Sequence, residues 1–379
     1  MRVWLLSQFH DFHIALLDDV QVDFWSKDDV MVSPSRQESF QRQLNEMDVA
    51  WEISIDNVQT VVQEEKESLQ GESRSLSRDK FHSYQEMKDY LQELAKLYSN
   101  TVSVGSIGSS YEGRDLPILK ISSGGDDTRP IILIDAGIHA REWIAPAMAL
   151  YIIQQLVENP SNADLIANVD WHVIPLLNPD GYEYSRKSSR LWRKTRSKTK
   201  RKGCFGVDGN RNFDIHWNGI GGSTDPCSET YVGPRPFSEP ETAALRDYVM
   251  KQLTKSGSRI KLYLTFHSYA SGILYPWGYT WSQAPNANTM KALAQEANLA
   301  QKRAGGHDFT VGQTARVFYA AAGGSDDWVA SAGRVPLVYT VEMPRGGNWG
   351  FDLPPSAINR TVSAFWPAVR VMGRHVQRS

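Results

Sequence analysis

The 379-residue chain carries only two cysteines, Cys204 and Cys227. They allow at most one disulfide and exclude a small fold stapled by several; the sequence alone leaves a bridge and two free thiols equally open. Charge of either sign is not in excess, the formal net being −2, so composition gives no ground for a nucleic-acid or membrane-surface partner. No apolar run reaches the length needed to span a bilayer. No leader is visible either. The opening Met1 to Ser7 is short and runs into His10, Asp11 and His13, which taken literally describes a cytoplasmic protein. What is present is ordinary for a soluble globular chain, 41% hydrophobic and 22% charged residues. The length suits one large domain with a smaller one. Twelve Trp and fifteen Tyr suggest aromatic-lined grooves.

Residues 1 to about 62 read as a small α+β unit. Val20 to Trp25 and Val30 to Val32 alternate like strands, Ser35 to Met47 has helical spacing, and Val49 to Val58 alternates again. Residues 59–80 are charged, then Ser-rich, as befits a connector between domains. Arg74 and Arg78 within it are exposed-segment targets for a trypsin-like protease. Beyond Phe81, helices are expected at 84–98, 143–157, 239–254, 287–304 and 356–374. Strands are expected at 102–107, 116–121, 131–136, 171–177, 260–267 and 337–342. This alternation predicts an α/β fold, a mixed, mostly parallel sheet with helices on both faces.

Function in such folds collects beyond the carboxyl ends of strands. There the apolar run Ile131 to Ile134 breaks into His139-Ala-Arg-Glu142, and His267 ends another strand-like run. Two His and one Glu with an open fourth position form a catalytic zinc set. Glu342 ends the apolar strand Leu337 to Val341, a costly place for a carboxylate without a task or a partner such as Arg345. Beside zinc it is a candidate general base. The segment 178–216 is rich in amides and cations suited to gripping a carboxylate, among them Arg193, Asn210 and Arg211. Arg186 to Lys202 alone holds ten Lys or Arg. Its sparse aromatic interleaving and the slightly negative overall charge argue against nucleic acid.

Several motifs in one order now carry a resemblance. They are Asp23-Phe-Trp25, Ser110-Tyr-Glu-Gly-Arg114, His139 to Ala147, Asn178-Pro-Asp-Gly-Tyr182, Leu191 to Ser197, Gly209-Asn-Arg-Asn-Phe213, Cys227 to Tyr231, His267-Ser-Tyr269 and Ala322 to Trp328. The chain resembles zinc metallocarboxypeptidases of the pancreatic A/B type in their pro-form, most of all an insect or other invertebrate digestive member, over nearly its whole length. The resemblance implies the zinc carboxypeptidase fold, preceded by an antiparallel open-sandwich prodomain. It assigns 1–74 to an inhibitory propeptide, shortened at its start, and 75–379 to the catalytic domain. It implies one Zn2+ on His139, Glu142 and His267, with Arg193 stabilising an oxyanion and Glu342 as general base. Asn210, Arg211 and Tyr319 would hold the substrate's free carboxylate, and Arg141 and Tyr269 would touch the peptide upstream. It pairs Cys204 with Cys227 and places activation at Arg74 or Arg78.

Asp326 falls at the base of the specificity pocket, where a carboxylate would select C-terminal Lys or Arg. Gly278 and Thr314 line the same pocket but depart from the usual B-type set, and Asp327 reads as structural. The expected partners are peptide C-termini, an activating trypsin-like protease and protein carboxypeptidase inhibitors, with a monomer as the default. The resemblance also implies secretion, in the gut lumen, with the leader missing. Alternatives are an A-type or broad-specificity digestive enzyme, a regulatory peptide-processing one, an inactive peptide-binding homologue, or another metal hydrolase such as an aminoacylase. The sequon Asn359-Arg-Thr361 lies in the expected last helix.

Overall fold

The computed structural model describes residues 2–5, 22–24, 29–55, 57–60, 62, 76–125, 128–347 and 350–378. In the N-terminal unit, β1 (Arg2–Leu5), β2 (Val22–Phe24), β3 (Asp29–Val32) and β4 (Trp51–Ile55) form a sheet ordered β2-β3-β1-β4. All of its pairings are antiparallel. Helix α1 (Gln37–Glu46) buries Phe40 and Leu44 against Val3, Val30, Val32 and Val49. Alternation along the strands supplies one side of this core and helical spacing the other.

The larger unit has an eight-stranded sheet. Its strands are β5 (Val102–Ser109), β6 (Asp115–Ile121), β7 (Ile131–Ala136), β8 (Asp170–Ile174), β11 (Ile260–Ser268), β12 (Gly272–Tyr275), β13 (Thr310–Gln313) and β14 (Leu337–Met343); β9 (Leu253–Thr254) and β10 (Gly257–Ser258) form a separate hairpin. The order is β13-β12-β14-β11-β7-β8-β6-β5. The four pairings β12–β13, β11–β14, β7–β11 and β7–β8 are parallel. The other three are antiparallel, so the expected mixed sheet is found.

Period-two alternation divides the apolar strands between two cores. Ile132 and Ile134 of β7, with Leu262 and Leu264 of β11, pack under α2 (Tyr84–Leu97), α3 (Ile144–Val157), α6 (Ala287–Arg303) and α9 (Pro355–Arg378). Ile131 and Leu133, with Tyr263 and, across a register shift, Ile260, pack on the other face beneath α5 (Pro240–Lys251) and α8 (Ser325–Ser331), the latter preceded by the short α7 (Thr314–Val317). Helix α2 starts on a full capping box, Ser83 with Glu86.

Several elements depart from expectation. The helix expected at 239–254 stops at Lys251, because Leu253 and Thr254 turn into the β9–β10 hairpin. Strands β12 and β13 at one end of the sheet, four residues each, are too short to show a period. Helix α4 (Pro179–Lys187) is held by Asn178, whose Oδ1 accepts from the Gly181 N–H at 2.9 Å, rather than by an apolar stripe. Cys204 and Cys227 are joined, with Cα atoms 4.9 Å apart. No helix among the described residues is long and apolar enough to cross a membrane.

His172 of β8 is buried and shares a 2.7 Å hydrogen bond through Nδ1 with the Tyr248 hydroxyl. Burial, aided by Lys120 and Arg259, lowers its pKa from 6.5 to about 3. Between those values the unfolded chain binds more protons than the folded one. Stability therefore rises with pH across this window and is lost as pH falls. In denaturant titrations from pH 4 to 7, His172→Gln is expected to remove a slope of up to ~1.4 kcal/mol per pH unit.

Candidate active site

Strand β7 ends where Gly137 takes φ +68°; a Cβ there would lie 2.6 Å from Leu176 Cδ1. Only glycine suits both demands. The chain turns there and presents His139 and Glu142 ahead of α3. The β11–β14 register sets His267 opposite Glu342, and the β7–β11 register sets Phe266 opposite Ala136. Three strand ends thus deliver His139, Glu142, His267 and Glu342 to one edge of the sheet.

His139 Nδ1 is 2.8 Å from Glu142 Oε1, His267 Nδ1 is 3.1 Å from Glu142 Oε2, and the two Nδ1 atoms are 3.2 Å apart. All three residues are buried. Tetrahedral zinc with bonds of ~2.0–2.1 Å has ligand atoms about 3.3 Å apart, so the two imidazole edges fit that ion. Charge agrees with shape. Burial pushes the Glu142 carboxyl up, but the two imidazoles outweigh it and hold it well below the usual range. Burial would lower His267, yet the Glu142 carboxylate raises it to about 9. The cluster favours a cation.

Asp208 organises the far side. Its Oδ1 accepts from His139 Nε2 at 3.1 Å and from the Asn210 N–H at 2.9 Å. Its Oδ2 accepts from Arg193 Nε at 3.0 Å and Nη2 at 2.8 Å. Arg193 Nη1 is left facing Glu142 Oε1 at 3.9 Å. Sequence reasoning passed over Asp208; the one available signal was an acid within the Gly206–Phe213 segment.

Arg211 gives Nε to the Gly221 carbonyl at 2.8 Å and Nη1 to that of Asn210 at 3.0 Å, and its Cζ lies 5.8 Å from the half-buried Tyr319 ring. Asn210 Oδ1 accepts from the Ser325 N–H at 2.9 Å, which aims its amide nitrogen the other way. Glu342 is buried, and its Oε2 has no hydrogen bond among the described residues.

Asp326 and Asp327 are both buried at the start of α8 but differ in what they hold. Asp327 accepts from the Gly278 and Tyr279 N–H groups at 2.9 Å. Asp326 Oδ2 accepts from the Thr340 hydroxyl at 2.9 Å. Gly278 and Thr314 stand together beside Asp327. A Cβ at Gly278 would sit 3.4 Å from Thr314 Cγ2 and 3.2 Å from the Ala321 carbonyl oxygen, so glycine keeps that wall open.

Arg141 and Tyr269 meet the N-terminal unit. Both terminal guanidinium nitrogens of Arg141, Nη1 and Nη2, grip Asp23, Nη2 reaching Oδ1 at 2.9 Å, and the Tyr269 hydroxyl donates to Asp29 Oδ2 at 3.1 Å. Val58, Tyr269 and Phe351 form an apolar cluster there with Met31, Ile55 and Leu191. Arg78 is exposed, its Nε 3.2 Å from Gln154 Oε1; Arg74 lies outside the described residues.

A model of zinc carboxypeptidases matches residues 87–368, and one of the carboxypeptidase activation peptide matches residues 11–65. The chain belongs to the zinc carboxypeptidase family. It is the zymogen of a zinc metallocarboxypeptidase of the A/B group, an exopeptidase. It is 44% identical over 299 residues to carboxypeptidase B of Astacus astacus, covering 78% of this chain and 97% of that protein. Carboxypeptidase A from Helicoverpa armigera superposes with a TM-score of 0.92 at 33% identity, covering 100% of this chain and 97% of that one. Bovine thrombin-activatable fibrinolysis inhibitor, in a complex with tick carboxypeptidase inhibitor, gives a TM-score of 0.74 at 35% identity over 79% of this chain and 99% of that one. Relatives of both A and B type thus surround this carboxypeptidase.

One carboxylate orients a metal-competent imidazole and a guanidinium, so its loss should be felt at both. Asp208→Asn is expected to weaken zinc binding roughly 10–100-fold, read by competition with a chromophoric chelator.

Proposed function

We propose that this zymogen, once cut by a trypsin-like protease, is a secreted digestive enzyme that removes C-terminal Lys and Arg from peptides and proteins. The observation that carries the preference for basic residues is the difference between the two aspartates of α8. Asp327 is spent on backbone N–H groups, whereas Asp326 is buried with the Thr340 hydroxyl as its hydrogen-bond partner among the described residues. A buried carboxylate gains most from a cationic side chain and is left underpaired by an apolar one.

The proposed division is an inhibitory unit over 1–74 and a catalytic unit over 75–379, with activation at Arg74 or Arg78. His139, Glu142 and His267 would hold the zinc, which when bound would supply Lewis acidity for a carbonyl and for water. Burial, reinforced by Glu142, pushes the Glu342 carboxyl up to about 7. A base poised there takes a proton from the attacking water and returns it to the leaving amine. Arg193, already anchored on Asp208, donates to the carbonyl oxygen as its charge develops, with no reorganisation. Arg211 and Asn210 hold the free carboxylate of the last residue and Tyr319 closes over it, so an internal peptide bond has nothing to offer them.

Arg141 and Tyr269 contact the peptide further upstream in the mature enzyme. In the zymogen Asp23 and Asp29 hold the same groups, which is how the N-terminal unit blocks the cleft. The tick inhibitor on the bovine relative supports small protein inhibitors as further partners of this monomer.

After mild trypsin treatment, a blocked dipeptide ending in Arg should be cleaved in preference to one ending in Phe, and a zinc chelator should abolish cleavage. Asp326→Ile should cost at least ~100-fold in kcat/KM on the Arg substrate and reverse the preference. A wild-type preference for Phe overturns the basic-residue reading and leaves the zinc chemistry standing. Asp23→Ala should raise the activity of the uncut zymogen roughly tenfold, since breaking one partner of a buried pair costs several kcal/mol.

A further inference from the structure

An imidazole can offer a lone pair through Nδ1 only when its proton sits on Nε2. For His139 the acceptor that holds this proton is Asp208 itself. Among the described residues, no carboxylate accepts from His267 Nε2. Its neighbour there is the Thr265 hydroxyl, with Oγ1 at 3.2 Å.

A hydroxyl has one proton, and that of Thr265 is already committed: Oγ1 donates to Asp135 Oδ1 at 2.9 Å. The other oxygen of Asp135 accepts from the Tyr263 hydroxyl. With its proton given to a carboxylate, Oγ1 can only accept, so the group it faces on His267 must be Nε2–H. The direction of each bond follows from counting protons. It leaves the Nδ1 lone pair pointing at Glu142 and His139.

Geometry on the sheet makes this chain rigid. Tyr263, Thr265 and His267 alternate along β11 and so share one face. Asp135 is the partner of Thr265 in the parallel ladder with β7. Asp135, Tyr263 and Thr265 are fully buried and His267 is 1% exposed, leaving little room for water to substitute for any partner.

We infer that Thr265 and Asp135, steadied by Tyr263, are positioning residues that lock the tautomer and ring orientation of His267 and thereby set the protein's zinc affinity. This rests on the reading of His267 as a zinc ligand through Nδ1. Asp135 acts through Thr265, so the two belong to one relay rather than making separate contributions.

The test is zinc affinity of the full-length chain, read by chelator competition, with the visible spectrum of the Co2+-substituted protein and the thermal midpoint of the metal-free protein alongside. Thr265→Val is close in shape and removes the hydroxyl; it should lower zinc affinity 10–100-fold and alter the Co2+ spectrum. Thr265→Ser should restore both. Asp135→Asn should share the loss, and the double variant Thr265→Val/Asp135→Asn should bind zinc no worse than Thr265→Val alone. If Asp135→Asn does not fold, Tyr263→Phe frees one carboxylate oxygen and should give a smaller loss of the same kind.

Wild-type affinity in Thr265→Val, or additive losses in the double variant, overturns the relay. His267→Ala separates this from failure of the underlying reading. If it still binds zinc like wild type, His267 is not a ligand and the relay falls with it. If it loses zinc while Thr265→Val does not, only the relay falls.

Discussion

Parallel pairing of β7, β11 and β14 in one register is the constraint from which the rest of this active site follows. Strands that are apolar on both faces leave no place for charge until they end. At that edge the register brings His267 level with Glu342 and, one strand over, releases the chain into the turn carrying His139 and Glu142. A slip of one residue would turn His267 to the opposite face of the sheet and bury an apolar side chain among carboxylates. The core packing that prevents the slip is therefore also what assembles the site.

Three buried carboxylates of the site are tolerable because each has a partner of the opposite sign or a donor. Glu142 has the two imidazoles, Asp208 has Arg193 and His139, and Asp135 has two hydroxyls. Asp208 serves His139 directly and Asp135 serves His267 through a hydroxyl, so the two imidazoles are set by different devices on opposite sides of the pocket. Across the cleft, the N-terminal unit uses the same logic. Asp23 and Asp29 satisfy Arg141 and Tyr269, the groups proposed above to contact the peptide.

The run of cations from Arg186 to Lys202 shows how misleading one dimension can be. Read along the chain it is a basic patch. In the fold, Arg190 lies 3.5 Å over the Trp143 ring, Arg193 is bound by Asp208, and Lys194 reaches the Pro226 carbonyl at 2.9 Å. Arg196 stacks on Tyr184 at 3.6 Å. Lys187, Lys198, Lys200, Arg201 and Lys202 are the members that stay on the surface, the last four just ahead of Cys204, which is bridged to Cys227.

What the sequence determined by itself is everything that depends on local spacing. The apolar runs of β7, β11 and β14, the stripe of α2, the His-x-x-Glu pair and the acids at strand ends are all legible, because burial acts on a period of two or 3.6 residues. Strands of four residues and a helix made of Pro-Asp-Gly-Tyr-Glu-Tyr-Ser-Arg-Lys carry too few apolar positions for that signal. Tertiary structure decided the long-range contacts. Asp208 reaches His139 across 69 positions and Thr265 reaches Asp135 across 130. It also decided which of two adjacent aspartates, Asp326 or Asp327, is spent on the backbone. Hydrogen bonds act over about 3 Å in space, and only the folded register says which distant groups come within that range.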